Sequence, residues 1–459
     1  MESLDNLLSH NRQNRISIHC IGDSMIDEYY PVDVKRISPE FPMPIMHSNT
    51  EECIDRPGGV ANVAYQFKHF NVEAQLICFS DHLSTLVFRK HKLKFSPCTN
   101  VAVHVPRKRR FLDNFIQVKR WDIESPNYGL PEKEYKDAIK DSLETTEAIP
   151  LPDVAIFSDY GKGFFTKESC QAWMKRYAKC KTVVDPKNSP LSWWKGCTVF
   201  KPNKKEATEL TGETDWRKQC DVIVAKTHCK AVVITLSGEG LVGWTEENGY
   251  FEYNPQYKIV PESVIGAGDA FVAFLSLSIA HGFSVEDASQ LAYEAGSIYV
   301  QNKMNRPIVP AELSKTRCIQ PEDLVGRDFK LVFTNGCFDI LHRGHLNTLR
   351  FAKAKGEKLV VALNSDASVK RLKGESRPIN PLEDRMALMA AIKEVDFVIS
   401  FDEDTPYEVI KRCKPDVLVK GADYQIATIV GSDIVPETYV CPLVEGCSTT
   451  KIINRQKNQ

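Results

Sequence analysis

Two series of short apolar runs, each alternating with helical stretches, constrain the fold of this chain more than any other feature of its sequence. The first series lies within residues 15–236 and the second within residues 330–421. Near-continuous apolar runs of strand length are typical of strands that are buried on both faces of a parallel sheet. The alternation therefore predicts an α/β fold with two mostly parallel sheets. We predict strands at 15–22, 74–80, 153–158, 181–186, 197–203 and 230–236, and again at 330–335, 357–365, 396–401 and 416–421, with amphipathic helices at 133–146, 346–356 and 381–395.

A polar segment separates the two series. The chain has 459 residues, which is too many for one ordinary hydrophobic core. Residues 310–328 are mostly polar and include two prolines, so we interpret 313–328 as a linker. The sequence thus predicts a first domain at 1–312 and a second domain at 329–459.

The composition is that of an ordinary globular protein, with 42% apolar and 26% charged residues. The formal net charge of -1 predicts no general affinity for nucleic acid or for an anionic membrane. Fourteen cysteines without a CxxC pair are typical of reduced, mostly buried thiols. The chain lacks a signal-peptide pattern and any run of the ~18 apolar residues that span a membrane, so we expect a cytoplasmic protein. We interpret the basic run RKRR at 107–110 as a solvated face.

A glycine-rich turn, Gly266-Ala267-Gly268, precedes a strongly apolar helix in the first domain. Small residues there allow the backbone N–H groups of the helix N-terminus to approach an anion closely. Asp269 follows in the first helical turn, where a carboxylate could take a proton from an attacking hydroxyl. The alternative is that Asp269 only caps the helix after a glycine turn, and these four residues alone do not decide between the two roles.

A second group of polar and glycine residues lies near the first predicted strand. Asp23 and Asp27 follow that strand, which is the place where α/β folds bind ligands. Gly58 and Gly59 form another glycine turn that opens a helix, and Asn62 in that helix is available for recognition of a hydroxyl group. These residues are candidates for contact with a small polar substrate.

Two oxygen-bearing side chains follow a later strand of the same domain. Asn203 and Glu206 lie just after the predicted strand at 197–203. Amide and carboxylate oxygens are ligands suited to Mg²⁺, often through water. We therefore expect Mg²⁺ at this end of the sheet.

Seven motifs of the first domain occur in the order found in a known family. They are GDSMID (22–27), RISPE (36–40), RPGGVAN (56–62), SDYGKG (158–163), DPK (185–187), PNKKE (202–206) and GAGD (266–269). On these motifs, roughly residues 15–312 resemble the ribokinase-like sugar kinases, and RISPE followed by RPGG resembles one branch, the heptose 7-phosphate kinases. The resemblance implies a three-layer α/β/α domain that uses ATP and Mg²⁺, with Asp269 as the catalytic base and 266–268 as the anion hole. It also implies sugar contacts by Asp27, Gly59 and Asn62, with Asp23 and Gly58 beside them, and it places Asn203 and Glu206 at the ATP–Mg²⁺ end.

The likeness is incomplete directly before GAGD. The family usually has Asp-x-Thr there, whereas this chain has Ser263-Val264-Ile265. In many relatives that aspartate supports a bound monovalent cation. The difference leaves open the alternative that the first half is a silent ligand-binding or dimerisation module.

The second domain brings two histidines to the start of a helix. His342 and His345 end the stretch TNGCFDILHRGH (334–345), which follows a predicted strand. A metal site is not favoured, because no third ligand is nearby and the HExxH pattern is absent. A buried core role stays open for either histidine alone. A phosphate-binding role explains both, since imidazoles at a helix N-terminus can donate hydrogen bonds to phosphoryl oxygens as charge develops at an α-phosphate.

Three more motifs accompany this stretch, namely VALNSD (361–366), RLKGESRPINPLEDR (371–385) and EGCSTTKII (445–453). With them, about residues 328–455 resemble the HxGH nucleotidyltransferase superfamily and, within it, the heptose 1-phosphate adenylyltransferases. The resemblance implies a Rossmann-like domain in which His342 and His345 act on the phosphates of ATP. It implies further phosphate contacts by Lys373, Arg377, Ser448, Thr449 and Thr450, and a nucleotide or sugar-phosphate pocket at Asn335, Gly336, Phe338, Asn364 and Asp366.

The two halves together imply consecutive steps toward ADP-heptose, on sugar phosphates and ATP, with a separate phosphatase acting between them. The family likeness of the kinase half also implies a homodimer. An enzymatic alternative is that the second half is a cytidylyltransferase for a polyol phosphate. Residue chemistry alone supports a kinase for a sugar-like hydroxyl and a nucleotidyltransferase.

Overall fold

The structure is a computed structural model that describes residues 3–48, 53–97, 103–113, 116–255, 261, 263–301, 306–314, 316–324, 326–327, 329–421 and 428–442. The chain divides into two compact units, Met1–Ile308 and Val309–Gln459. The predicted α/β class is confirmed in both units. In these ranges the cysteines are free and most are buried, and no helix is long and apolar enough to cross a membrane.

The first unit alternates strands and helices along most of its length. Its strands are β1 (Ile16–Gly22), β2 (Ser24–Pro31), β3 (Asp33–Ile37), β4 (Pro44–His47), β5 (Ile54–Gly59), β6 (Val72–Cys78), β7 (Lys94–Pro97), β8 (Arg107–Asp113), β9 (Ile116–Ile123), β10 (Val154–Ser158), β11 (Lys181–Asp185), β12 (Val199–Phe200), β13 (Ala231–Thr235), β14 (Leu241–Thr245) and β15 (Gly249–Tyr253). Its α-helices are α1 (Leu4–Gln13), α2 (Val60–Gln66), α3 (His82–Lys90), α4 (Glu132–Glu147), α5 (Lys167–Arg176), α6 (Lys204–Thr211), α7 (Trp216–Thr227), α8 (Ala267–Ala280) and α9 (Val285–Tyr299).

A nine-stranded sheet forms the body of this unit, in the order β15-β14-β13-β12-β11-β10-β1-β6-β7. The pairings from β7 to β13 are parallel, and the two strands at the other edge are antiparallel. The carboxyl ends of β1, β10, β11 and β12 therefore lie along one edge of the sheet. Ligands bind at such an edge in α/β folds, and the motifs of the first domain follow these strands.

A second sheet carries other parts of the kinase-like motifs. Its order is β5-β2-β8-β9, with β2 antiparallel to β5 and parallel to β8. The sequence analysis did not predict this sheet, because its strands mix charged and apolar residues and β9 is mostly exposed. The hairpin of β3 and β4 forms a separate two-stranded sheet.

The second unit is built on a five-stranded parallel sheet in the order β18-β17-β16-β19-β20. Because β17 and β18 lie on one side of β16 and β19 lies on the other, the strand order reverses at β16. A crevice for ligands is expected at this reversal. The elements are α10 (Pro310–Leu313), β16 (Leu331–Gly336), α11 (Arg343–Lys353), β17 (Lys358–Asn364), α12 (Asp366–Lys373), α13 (Leu382–Ala390), β18 (Phe397–Phe401), α14 (Tyr407–Cys413), β19 (Val417–Lys420) and β20 (Glu437–Val440).

The segment that we predicted as a linker is packed on the second unit. Val309, Ile319 and Leu324 are buried in the same hydrophobic cluster as the strands of the five-stranded sheet. Arg317 also donates to the carbonyl oxygens of three residues near the end of α13, and its own carbonyl accepts from the N–H of Val398. The segment is mostly polar, but a few of its apolar side chains pack in this core. The division between the units therefore lies at 308/309, before our predicted linker.

Candidate active sites

Asp269 lies in the first turn of α8 and is almost completely buried. Its Oδ2 accepts a hydrogen bond of 2.7 Å from the side-chain amide of Asn62, and its Oδ1 accepts one from the hydroxyl of Tyr160. Burial raises the pKa of Asp269 to about 7, against the opposing effect of these two hydrogen bonds. A carboxylate with such a pKa can both take and release a proton near neutral pH.

Gly266 is fixed as a glycine by its surroundings. It precedes α8 with φ of 74°, in the left-handed region that favours glycine. A Cβ atom at this position would lie 2.5 Å from the hydroxyl oxygen of Tyr299 and 2.6 Å from Nδ2 of Asn62. A Cβ atom on Gly268, in contrast, would meet nothing within 4 Å. Gly266 thus allows Asn62 to reach Asp269, and Ala267 and Gly268 begin the helix beside them.

Asp23 lies behind the site and is fully buried. Its carboxylate accepts hydrogen bonds from the hydroxyl of Tyr128 (2.6 Å) and from the backbone N–H groups of Tyr160 (2.8 Å), Lys162 (3.1 Å) and Phe164 (3.0 Å). With all these donors engaged, Asp23 anchors a loop. The sugar contact that we expected for Asp23 stays a prediction beside this anchoring role.

Asp27 comes to the site from the four-stranded sheet. It is buried and paired with the guanidinium of Arg110 on β8. Lys108, on the same strand, has its ammonium 5.4 Å from the ring centre of Tyr160, and burial lowers its pKa although Asp27 and Asp269 oppose that effect. Our interpretation of the run 107–110 as a solvated face is therefore wrong.

The glycine turn at the start of α2 lies against Asp27. Gly58 leaves room for Asp27, whose Oδ2 would be 2.9 Å from an added Cβ atom. Gly59, with φ of 59°, leaves room for the carbonyl oxygen of Asp23 in the same way. The structure thus brings Asp27, the glycine turn and Asn62 together with Asp269, although these residues are far apart in the sequence.

Asn203 and Glu206 form a capping box at the start of α6. The side chain of Asn203 accepts from the N–H of Glu206, and Oε2 of Glu206 accepts from the N–H of Asn203, both at 2.9 Å. Oε1 of Glu206 also accepts from the ammonium of Lys187 at 2.8 Å. A buried ion pair of 2.7 Å between Lys201 and Asp185 lies nearby.

These contacts decide how Mg²⁺ fits this end of the sheet. Oxygen atoms of both capping residues are already engaged within the chain, and the part of the chain that the structure describes has no cluster of three or more potential metal ligands. The donor set suits a hydrated Mg²⁺ that arrives with the phosphates of ATP, with Asn203 and Glu206 reached through water. Lys187 and Lys201 lie at the same end of the sheet, paired with Glu206 and Asp185.

A cavity of about 530 Å³ lies at the strand reversal of the second unit. Its walls include the carboxyl ends of β16, β17 and β19 and the residues 404–406, which directly precede α14. Predicted residues in its lining are Asn335, Gly336, Phe338, His345, Asn364, Lys373 and Arg377, and further lining residues include Thr334, Asp339 and Lys420. A cavity of this size suits a nucleotide or a sugar phosphate.

The two histidines stack at the beginning of α11. His342 is the N-cap residue, and the ring centres of His342 and His345 are 3.8 Å apart with an angle of 18° between the rings. Burial, and then the charges of His342 and Lys373, lower the pKa of His345 to about 4, and burial also lowers the pKa of His342. Both imidazoles are therefore neutral at pH 7, and Nδ1 of each is buried without a hydrogen-bond partner among the described residues. His345 lines the cavity, and His342 supports its ring.

Arg377 differs from Lys373 in its partners. Its guanidinium forms an ion pair with Asp339, which is buried and also accepts from the N–H groups of Ile379 and Asn380. Arg377 reaches the cavity only as part of this pair, whereas Lys373 lines the cavity on an exposed helix end. Lys373 is thus more available than Arg377 to bind a phosphate.

Arg385 holds three parts of the cavity wall together and was not predicted. Its guanidinium is buried and donates to the carbonyl oxygens of Cys337 (2.8 Å), Asn364 (2.9 Å) and Asn380 (3.0 Å) and to Oδ1 of Asp366 (2.6 Å). Asp366 therefore supports the wall. The predicted residues Ser448, Thr449 and Thr450 lie outside the described residues.

Several residues in or beside the sites were not predicted, among them Tyr160, Lys108, Lys420 and Arg385. Tyr160 lies within the motif SDYGKG, to which we had assigned no role. Lys108 lies in the basic run, and Arg385 lies in the motif PLEDR. The sequence thus marked both segments but did not show which atoms these side chains contact. Lys420 is buried at the carboxyl end of β19. Its place at a strand end beside the crevice was the signal for a role in the site.

Two family models match the chain. The model described as pfkB family carbohydrate kinase matches residues 156–311, and the model described as Cytidylyltransferase-like matches residues 333–455. Phosphofructokinase-2 from Escherichia coli has the fold of the first unit, with a TM-score of 0.53 at 20% identity over 65% of this chain and 96% of that chain. This likeness shows the fold alone, and it confirms the ribokinase-like architecture predicted for the first half.

Curated relatives match nearly the whole chain. The bifunctional protein HldE of Campylobacter jejuni subsp. jejuni serotype O:6 is 36% identical and covers 99% of this chain and 100% of its own length. The proteins of the same name from Nitratiruptor sp. and Salmonella arizonae are 34% and 33% identical, over 95% and 96% of this chain and 98% and 97% of their own lengths. Identity at this level over both units means that the chain belongs to the bifunctional HldE family, and it is a sugar kinase joined to a nucleotidyltransferase.

Proposed function

We propose that the first unit transfers the γ-phosphoryl group of ATP to the 1-hydroxyl of a heptose 7-phosphate, with Asp269 as the base. The observation that carries this proposal is the buried carboxylate of Asp269 at the N-terminus of α8, held by Asn62 and Tyr160. The hydroxyl proton passes to Asp269 as the oxygen attacks the γ-phosphorus, and ADP leaves. The backbone N–H groups at 266–268 supply donors for the charge that develops on the phosphoryl oxygens.

The sugar lies, in this proposal, between α8 and the four-stranded sheet. Asp27 accepts hydrogen bonds from the hydroxyl groups of the sugar, and Asn62 can accept or donate them. The turn at Gly58 and Gly59 has no side chains and lets the sugar approach the backbone. Lys108 supplies a positive charge for the phosphate of the substrate. ATP and its Mg²⁺ lie toward Asn203 and Glu206, beside Lys187.

We propose that the second unit transfers AMP from ATP to a heptose 1-phosphate. A phosphate oxygen of the sugar attacks the α-phosphorus, and pyrophosphate leaves. Neutral His345, at the start of α11, can donate a hydrogen bond to the oxygens that gain charge, and Lys373 can pair with them. Because the first product carries two phosphates, a separate phosphatase that removes the 7-phosphate belongs between the two steps.

One assay tests both parts. The purified protein is incubated with Mg²⁺-ATP and heptose 7-phosphate, with and without a phosphatase, and the products are identified by mass. We expect heptose bisphosphate alone without the phosphatase and ADP-heptose once it is present. Absence of phosphorylation, with ADP-heptose formed from supplied heptose 1-phosphate, would support a silent first unit.

Two variants separate the steps. Asp269→Asn should lower phosphorylation by about 10²–10⁴-fold and leave nucleotidyl transfer intact. His345→Ala should lower nucleotidyl transfer by about 10²–10³-fold and leave phosphorylation intact. If either change removed both activities from a folded protein, the proposal of two independent sites would be wrong.

The name of the second family model favours one alternative, a cytidylyltransferase. The likeness of the motif at 371–385 to adenylyltransferases and the attached kinase both support ATP. Pyrophosphate release with ATP and with CTP, each with heptose 1-phosphate, distinguishes them. Faster release with CTP would favour the cytidylyltransferase.

We also propose that two copies of the chain associate through the four-stranded sheet. Ile116 and Trp121 on β9 are 70% and 53% exposed, and burial of these apolar side chains between two copies would stabilise a dimer. Phosphofructokinase-2 from Escherichia coli, which shares the fold at a TM-score of 0.50, has a tetrameric form. Sedimentation should show a dimer that Trp121→Ser weakens, and a monomeric parent protein would contradict the proposal.

A further inference from the structure

Tyr160 connects the anchored loop of the first unit to Asp269. Its hydroxyl donates to Oδ1 of Asp269, while Asn62 donates to Oδ2. Each oxygen of the carboxylate therefore has its own donor, which fixes the rotation of the carboxylate group about its bond to Cβ. Two donors on opposite oxygens hold a carboxylate more firmly than one.

The backbone of Tyr160 is held from the other side by Asp23. Asp23 accepts the N–H groups of Tyr160, Lys162 and Phe164 and is itself held by Tyr128. A fully buried carboxylate with four donors is costly to move, because each lost hydrogen bond would leave a buried charge less compensated. The position of the Tyr160 hydroxyl is thus determined by the core of the unit.

We propose that Tyr160 is a positioning residue of the kinase site, whose hydroxyl, placed by the loop that Asp23 anchors, orients the carboxylate of Asp269 toward the attacking sugar hydroxyl. This inference rests on the proposed role of Asp269 as the base. It assigns to Asp23 an indirect role in the reaction, through the loop. It also explains why Lys108 packs over the ring of Tyr160, since that contact holds the ring from the side of the sugar.

The hydrogen bond has a second effect that can be measured. Burial raises the pKa of Asp269, and donation by Tyr160 and Asn62 lowers it. Without the Tyr160 hydroxyl, the pKa of Asp269 rises further, and a higher pH is needed to form the carboxylate. The other titratable groups that act on Asp269 or are acted on by it are Asp27, Asp185, Lys108, Lys201 and Tyr299, and all of them are unchanged by a substitution at Tyr160.

The experiment compares Tyr160→Phe with the parent protein in the full chain, at saturating Mg²⁺-ATP. In the pH profile of kcat/KM for heptose 7-phosphate, we expect the acidic limb to move to higher pH by about one unit. Hydrogen bonds to charged groups change a pKa by about that much. If the parent pKa is about 7, the rate at pH 7 should fall about five-fold and recover above pH 8. Ionisation of the substrate is common to both proteins and cancels in the difference.

A second substitution tests the opposite direction. Replacement of Tyr160 by 3-fluorotyrosine keeps the hydroxyl and makes it a stronger donor, so the acidic limb should move to lower pH. The matched control is Tyr177→Phe, which removes the hydroxyl of another buried tyrosine, bonded to His19 at 2.9 Å. We expect no shift of the limb in this control. Circular dichroism and the midpoint of thermal unfolding of the first unit serve as the check that the variants fold.

The outcomes separate this inference from the proposed function. Opposite shifts for Tyr160→Phe and the fluorinated protein support it. An unshifted limb in both, in a protein that Asp269→Asn inactivates, overturns the role of Tyr160 and leaves Asp269 as the base. Retained phosphorylation in Asp269→Asn overturns the proposed function itself.

Discussion

Two glycines that are two positions apart, Gly266 and Gly268, differ in what requires them. A Cβ atom on Gly266 would collide with Tyr299 and with Asn62, which donates to Asp269. A Cβ atom on Gly268 would meet nothing within 4 Å outside its own helix among the residues that the structure describes. The chain itself therefore requires the first glycine, whereas only an approaching phosphate could require the second.

This difference predicts opposite behaviour of two alanine variants. Gly266→Ala should displace Asn62 and lower phosphorylation by about 100-fold, because misplacement of a catalytic group by about 1 Å has such effects. Gly268→Ala should leave the midpoint temperature of thermal unfolding of the first unit unchanged or raise it slightly, and it should raise KM for ATP. Kinase assays and calorimetry on both variants test this, and a fully active Gly266→Ala protein would contradict it.

The histidine pair makes a prediction about titration. In the protein without nucleotide, burial and the neighbouring positive charges hold the pKa of His345 near about 4. The phosphates of ATP favour the imidazolium form, so binding should raise this pKa. Long-range ¹H–¹⁵N NMR spectra follow the titration, and His345→Asn identifies the signal. A pKa of 6.5 or above without nucleotide would show that the ring is not buried as described.

At the level of single residues, the sequence predicted which residue types lie near the sites better than it predicted their partners. Asp269, Asn62 and His345 lie at positions suited to the predicted chemistry, because glycine turns and helix starts constrain them locally. The anchoring role of Asp23 was not predicted, since three of its four donors are backbone N–H groups more than 130 residues away. No local pattern distinguishes a carboxylate that anchors a loop from one that contacts a sugar.

Among the elements, nine of the ten predicted strands were found to within about two residues, whereas β12 is shorter than predicted. The buried strands β2 and β14 and the charged strands were not predicted. The basic run that begins β8 places Arg110 in a buried ion pair and leaves Arg109 paired with Glu28. A run of like charges reads as a solvated surface unless its partners are known. Those partners lie on β2, about 80 residues earlier in the chain.

Arg385 joins helix α13 to the cavity wall by hydrogen bonds. Arg385→Met removes the donor for three carbonyl oxygens and for Asp366, and breaking such a buried arrangement costs about 3–5 kcal/mol. We expect the midpoint of heat inactivation of nucleotidyl transfer to fall by about 10 °C.

Arg371→Met is the matched control for this prediction. Arg371 is 45% exposed and pairs with Asp404 at 2.7 Å, so its loss should cost less than about 1 kcal/mol. Equal sensitivity of the two variants to heat would show that Arg385 does not support the wall as we describe.

For the whole molecule, the division at 308/309 predicts which fragments fold. A fragment of residues 309–459 keeps Val309, Ile319 and Leu324 in the core of the second unit, whereas a fragment of 329–459 loses them. Burial of each such side chain contributes about 1.5–3 kcal/mol, and the total approaches the stability of a domain. We expect the longer fragment to be active in nucleotidyl transfer and the shorter one to be unfolded or insoluble. Expression of both tests this, and two equally active fragments would contradict it.

The place of β1 between β6 and β10 in the nine-stranded sheet has a consequence for synthesis of the chain. β1 pairs with β6, but its other neighbour is β10, which begins at Val154. At about 5–20 residues per second, a ribosome needs on the order of ten seconds to make the intervening chain. During that time one edge of a strand that is almost entirely buried in the folded unit has no partner. The nascent first unit is thus a natural client for chaperones that bind emerging apolar segments.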